Sequence, residues 1–184
     1  MRVITGTARG RKLKELEGYE TRPTTDRVKE GIFNIIQFDI EGRKVLDLFA
    51  GTGQLGIEAL SRGAAGAVFV EHRRDAAALV RDNLKLTGLA EHGRVVCGEA
   101  LAYVSSAKEK FDLIFIDPPY AANLWKNAIN AISQFDILSN HGIMICESPL
   151  EREMPQVDPP YYQRRTYRYG KIKITTYYRE EDAQ

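Results

Sequence analysis

Two short stretches of this chain hold groups that could do chemistry together. The first is Asp117, Pro118, Pro119, Tyr120. Consecutive prolines have no N–H to donate and hold the chain extended, which leaves the carbonyls and the Asp117 carboxylate as acceptors beside the flat Tyr120 ring. Such a set suits a planar molecule bearing an NH2 group. An exocyclic base amine is a poor nucleophile because its lone pair is delocalised into the ring. Acceptors that take its hydrogens localise that lone pair toward an electrophile, while stacking holds the ring. Taken alone, D-P-P-Y reads better as a proline turn that caps a strand.

The second stretch runs from Lys44 to Gly56. Val45, Leu46, Leu48 and Phe49 are an apolar run of strand length, and Gly51, Gly53 and Gly56 follow in G-x-G-x-x-G spacing before Leu55, Ile57, Ala59 and Leu60 recur with helical period. Glycine lets the main chain approach a ligand with no Cβ in the way, and a helix start offers unpaired N–H donors. On spacing alone this is equally a cofactor site or a glycine-punctuated turn. Glu71, 15 residues beyond Gly56, ends the next apolar run and is placed to accept from ribose hydroxyls.

The elements that must position these groups can be followed along the chain. Thr24 and Thr25 are candidate caps, with Asp26 in a first turn, for a helix through Val28, Ile32, Ile35 and Ile36. Strands are predicted at Ala67–Val70, Arg94–Cys97, Phe111–Asp117 and Gly142–Cys146, with helices through Ala76, Val80 and Leu84 and over Leu124–Ile132; Gly98, Glu99 and Ala100 form a turn. The alternation predicts an α/β fold, a doubly wound, mostly parallel sheet of Rossmann-like type with seven strands. Tyr161–Tyr169, a Gly170 turn and Ile172–Thr176 predict a terminal antiparallel hairpin. One domain is expected over 1–184, with residues 1–20 a short basic arm on a core of 21–184. Asp117 then lies at the carboxyl end of the fourth strand, the edge at which parallel sheets bind ligands.

Net charge is only +1, yet it is unevenly spread. Residues 1–14 hold Arg2, Arg9, Arg11, Lys12 and Lys14, and residues 161–174 hold Arg164, Arg165, Arg168, Lys171 and Lys173, with no acid in either block. Two basic ends flank an acidic body. Either block alone is by default a solvated face, but the second interleaves Tyr161, Tyr162, Tyr167 and Tyr169, which suits phosphate contact with base stacking. Cys97 and Cys146 sit in apolar runs and read as buried small hydrophobes. His72, His92 and His141 lack ligand spacing, so no metal is expected. The start lacks the apolar region of a secretory signal and no run reaches membrane-spanning length, so a cytoplasmic protein is expected.

Asp47 to Gly56 together with Asp117 to Tyr120 resembles the class I S-adenosylmethionine-dependent methyltransferases, in which a D/N-P-P-Y/F loop marks methylation of exocyclic amines. Gly6-Thr7-Ala8-Arg9-Gly10-Arg11-Lys12-Leu13, Arg22-Pro23-Thr24-Thr25-Asp26-Arg27-Val28-Lys29-Glu30 and Gly56-Ile57-Glu58-Ala59-Leu60-Ser61-Arg62-Gly63-Ala64 narrow the match: the chain resembles the RsmD family, whose members methylate the guanine N2 amine of 16S ribosomal RNA. The resemblance implies S-adenosyl-L-methionine as cofactor, with Asp47, Gly51 and Gly53 lining its methionine part, Glu71 its ribose, and Glu99 with Ala100 its adenine. Phe49, Thr52 and His72 complete the implied cofactor set. Asp117, Pro118, Pro119 and Tyr120 would hold the guanine. Arg9, Arg11, Lys12, Arg22, Arg27, Arg164, Arg165, Arg168, Lys171 and Lys173 would meet the RNA, within an assembling small ribosomal subunit. A monomer is expected.

Three rivals remain at the level of sequence. A DNA adenine-N6 methyltransferase uses the same loop chemistry, but 184 residues leave little room for a target-recognition domain. A nicotinamide-dependent oxidoreductase would use the glycines but leaves Asp117 to Tyr120 without a role. A non-catalytic RNA-binding assembly module would keep the basic ends alone.

Overall fold

The short apolar runs at the centre of the chain, Lys44–Asp47, Gly66–Glu71 and Phe111–Ile116, become strands with both faces covered, as their lack of polar alternation requires. The computed structural model describes residues 1–16, 25–119 and 124–181. Its strands are β1 (Lys44–Asp47), β2 (Gly66–Glu71), β3 (Gly93–Cys97), β4 (Phe111–Ile116), β5 (Leu138–Pro149), β6 (Tyr161–Tyr169) and β7 (Ile172–Arg179). Helices α1 (Asp26–Ile35), α2 (Gln54–Ser61), α3 (Arg74–Thr87), α4 (Ala100–Ser106) and α5 (Leu124–Phe135) connect them. The seven strands lie in the order β3-β2-β1-β4-β5-β7-β6. β1 to β5 pair in parallel, and β7 joins β5 and β6 in antiparallel fashion. The doubly wound sheet with its terminal hairpin is as the sequence predicts. The turn predicted after Cys97 continues into α4, a helix that the sequence reading does not place.

Period-two alternation sorts the strand side chains between two layers. Val45, Phe69, Leu113, Phe115, Ile143 and Ile145 pack with α1, α2 and α3, while Leu46, Val68, Ile114, Ile116, Met144 and Cys146 pack with α4 and α5. α1 begins as its cap predicts, with Thr25 Oγ1 accepting from the Val28 N–H at 3.4 Å. Phe33 on α1 meets Phe115 at 5.7 Å between ring centroids, which seats α1 over the centre of the sheet.

Residues 1–14 form a hairpin docked on α2. The Val3 N–H donates to Arg11 O and the Leu13 N–H to Met1 O, and Val3, Ala8 and Leu13 are buried. The dock is made by a buried acid: both Glu58 oxygens accept backbone N–H groups, from Ile4 at 2.8 Å and Thr5 at 3.0 Å. Lys29 Nζ donates to Arg2 O and lies 3.8 Å from Glu58, so α1, α2 and the hairpin share one polar knot without solvent.

Cys146 is buried as predicted, but Cys97 is exposed. It is the last residue of the edge strand β3, where one side of the sheet has no neighbouring strand to cover it.

Candidate active site at the carboxyl edge of the sheet

After β1 the chain turns to β2 and β3 on one side, then returns to β4 on the other, so the sheet switches direction between β1 and β4. The strand ends splay there, and this crevice is where doubly wound sheets take ligands. The Ala50 N–H reaches Val70 O and the Leu48 N–H reaches Phe115 O, which fixes the start of the glycine loop between β2 and β4.

Within that loop the glycines do different work. Gly51 has φ +54°, and a Cβ there would meet nothing within 4 Å, so its bare face opens on space that a ligand can take. Gly56 serves packing instead: a Cβ would come within 2.3 Å of the Phe69 ring. The third glycine of the spacing is thus explained by helix-on-strand contact. Thr52 is half-buried, and its carbonyl accepts from Asn83 Nδ2 at 3.0 Å.

Asp47 is buried beneath the loop and accepts the Gly56 N–H at 3.0 Å. Burial pushes its pKa up to about 7, against the pull of that hydrogen bond, and the Glu71 charge adds to the rise. Among the described residues no cation offsets this burial. Glu71 stands next to it at the end of β2. One carboxylate oxygen accepts from Gly51 N and the other from Arg73 N, both at 2.9 Å, and His72 Nδ1 lies 3.2 Å away. The loop and Glu71 are therefore one rigid unit, and carboxylate lone pairs remain beyond those two bonds. Phe49 is half-buried on the same loop. Glu99 and Ala100 follow β3 as the first turn of α4, beside Glu71, whose carbonyl accepts the Gly98 N–H at 3.0 Å.

Asp117, half-buried, follows β4 directly; Pro118 is buried and Pro119 exposed. Tyr120 and Arg22 lie outside the described residues. Extending the alternation of each strand by one step puts Asp47, Glu71 and Asp117 on the α1 side of the sheet. The residues singled out on loops after β1, β2, β3 and β4 thus meet along one edge.

The basic residues divide. Arg9, Arg11, Lys12, Arg27, Arg164, Arg165, Arg168 and Lys171 are exposed, and Lys173 is half-buried. α1 lies between the two basic ends, with Lys29 held to Arg2 on one flank and the Tyr169 ring against Gly31 on the other. The Arg9 turn is far from the glycine loop, because Thr7 bonds to Ser61 at the foot of α2, about 10 Å of helix below Gln54. A register shift between Gln163 and Arg165 also splits the terminal hairpin. Arg164 lies over the Tyr178 ring at 4.6 Å, whereas Arg168 and Lys173 pair across the opposite face.

Sequence reasoning missed Asn83, whose side chain takes and gives bonds to the Lys14 backbone while holding Thr52, and so ties the hairpin to the glycine loop. Its signal was present: it is the polar residue on the Ala76, Val80, Leu84 face of α3. It also missed Glu147, a 5% exposed acid near the end of β5, although acids at strand ends were noted on β2 and β4.

Comparison with known proteins agrees with this arrangement. The family model described as "Conserved hypothetical protein 95" matches residues 1–178. The Bacillus subtilis protein YlbH is 39% identical over 180 residues, covering 96% of this chain and 98% of its own. "Ribosomal RNA small subunit methyltransferase D" of Escherichia coli is 35% identical over 184 residues, covering 100% of this chain and 92% of its own. The solved structure of yhhF from Escherichia coli superposes with a TM-score of 0.89 at 34% identity, over 99% of both chains. With its switch-point crevice, glycine loop and proline run in place, the chain belongs to this family, the RsmD family of methyltransferases.

Proposed function

We propose that this methyltransferase uses S-adenosyl-L-methionine to methylate the exocyclic N2 amine of a guanine in 16S ribosomal RNA, acting as a cytoplasmic monomer on an assembling small subunit. The observation that carries the reading is the junction, across the β1/β4 switch point, of the glycine loop with the Asp117–Pro119 run. The residues present fit the cofactor. Gly51 faces open space, Glu71 offers acceptors for a ribose diol, and Asp47 is a buried acid to which a cationic ligand is complementary. When bound, S-adenosylmethionine supplies a methyl group on a positive sulfonium.

The chain's own residues do the rest. Asp117 accepts a hydrogen bond from the amine and takes up its proton as charge develops, while Pro118 and Pro119 withhold N–H donors that would compete for the lone pair. The glycine loop and Glu71, fixed by their mutual hydrogen bonds, hold one reactant in line with the other, and positioning of this kind supplies much of the acceleration. Drawing the base out of its stack costs a few kcal/mol, which phosphate contacts at the basic ends offset.

Labelled cofactor incubated with small ribosomal subunits, free 16S RNA or duplex DNA tests this. Label in the RNA, recovered as N2-methylguanosine at one nucleotide, is the expected result. Label confined to DNA, or recovered as methyladenosine, overturns it.

Asp47 gives a second expected result. A carboxyl with a folded pKa near 7 and an unfolded pKa of about 3.9 binds a proton in the folded state that the unfolded chain has lost, so it withdraws stability as pH rises from about 4 to about 7. Asp47→Asn removes that penalty and keeps an acceptor for Gly56. The variant should melt several degrees higher than wild type at pH 8 while binding the cofactor at least about tenfold more weakly. Wild-type affinity should rise between pH 6 and 8, because a cation favours the ionised acid. Flat affinity across that range by calorimetry would remove Asp47 from the site.

A further inference from the structure

We infer that Glu147 accepts the ring N1–H of the target guanine beside Asp117, and thereby selects guanine over adenine. The inference rests on the methyltransferase reading above and names the residue that sets its base specificity.

β4 and β5 run in parallel with unbroken register from Leu113↔Ile143 to Ile116↔Cys146. One further step puts Asp117 beside Glu147. Both residues continue the alternation that places Phe115 and Ile145 in the α1 layer, so they share a face as well as an edge. Neighbouring strands are about 4.8 Å apart, which sets two carboxylates side by side on adjacent ribbons. Glu147 is also firmly held. β5 continues to Pro149, Glu147 pairs with Ile174 of β7, and its carbonyl accepts the Nε1–H of buried Trp125 at 2.7 Å. A group on a paired strand keeps its place better than one on a loop.

The chemistry of the two purines decides what such a pair can read. Guanine presents the N1–H and the 2-amine next to each other, two adjacent donors that call for two acceptors. Adenine presents its 6-amine next to a bare ring N1, an acceptor that a second carboxylate repels. With adenine the hydrogen bond that guanine's N1–H gives is replaced by repulsion between a carboxylate and a lone pair, and sites built to hydrogen-bond a group reject the ligand lacking it strongly.

The test compares guanine with 2-aminopurine, which keeps the 2-amine but has a bare N1, placed at the mapped target nucleotide of reconstituted small subunits. Wild type should prefer guanine in kcat/KM by about a hundredfold or more. Glu147→Gln should cut that preference at least about tenfold, because its amide can turn an N–H toward the bare nitrogen, with cofactor affinity by calorimetry unchanged. Glu147→Asp, which withdraws the carboxylate by one methylene, should slow guanine and leave 2-aminopurine alone. Equal losses on both bases in either variant overturn the role of Glu147 while the methyltransferase reading stands. A wild type that transfers nothing to guanine overturns both.

Discussion

Asp117→Ala is expected to lower the rate of methyl transfer at saturating substrates by about a thousandfold, within the range found for removal of a positioned acid or base. Cofactor affinity should stay within about twofold and RNA affinity should be nearly intact. The reason lies in the division of labour along the sheet edge. The proposed donor half is built from the glycine loop and Glu71, which hold each other through the Gly51 N–H rather than through Asp117. In the proposed reading the RNA is met by exposed cations on the two hairpins, none of them on the loop that carries Asp117. In the same reading Asp117 is the carboxylate that holds the acceptor amine, and Pro118 and Pro119 cannot replace it because they supply carbonyls only. Asp117→Asn separates two parts of the role: it keeps an oxygen to align the amine but cannot take the proton. Single-turnover rates should therefore fall in the order wild type, Asn, Ala. An Ala variant with a wild-type rate would move the chemistry elsewhere; one that loses RNA binding to the same extent as rate would make Asp117 a structural residue of the loop.

Much of this architecture can be read from local pattern. Short apolar runs ending in acids mark the parallel strands, because a strand covered on both faces has no polar alternation and its first polar residue stands where the sheet ends. That logic finds Asp117 and Glu71, and extended to β5 it also finds Glu147. The glycine spacing locates the loop but does not assign its members, since Gly51 answers to open space and Gly56 to the Phe69 ring beneath the helix. Long-range contacts are where the pattern fails. Nothing local indicates that Glu58, inside an otherwise apolar helix, receives the backbone of residues 4 and 5, or that Asn83 joins the hairpin to the glycine loop. Cys97 misleads for the same reason: its neighbours Val95 and Val96 are apolar, but its exposure follows from being last on an edge strand. The basic blocks were legible as charge but not as surfaces, because a single register shift sends Arg164 and Arg168 to different faces.

The dependence of the N-terminal hairpin on Glu58 leads to the largest expected effect on stability. Glu58 is fully buried and accepts from three donors, the Ile4 and Thr5 N–H groups and Arg62 Nε at 2.9 Å, with the Lys29 ammonium 3.8 Å away as its ion-pair partner. Burial lowers the Lys29 pKa, and the Glu58 charge is the foremost influence opposing that fall. Glu58→Ala strips the acceptor from two backbone N–H groups and leaves the Lys29 ammonium buried with only the weaker attraction of Asp26, opposed by Arg62 and Arg2. Breaking one side of a buried ion pair costs about 3–5 kcal/mol, roughly 10 °C in melting temperature for a chain of this size. Glu58→Gln should recover little, because the amide NH2 it introduces has to face donors where the carboxylate faced them with oxygens. The loss should also be localised: amide exchange should accelerate first at Ile4 and Thr5, followed by cleavage at Arg9 and Arg11 by a trypsin-like protease. RNA affinity should then fall, and its salt dependence flatten, because Arg9, Arg11 and Lys12 are carried by that hairpin. A Glu58→Gln protein that melts like wild type, with Ile4 and Thr5 still protected, would show that the apolar packing of Val3, Ala8 and Leu13 holds the hairpin by itself.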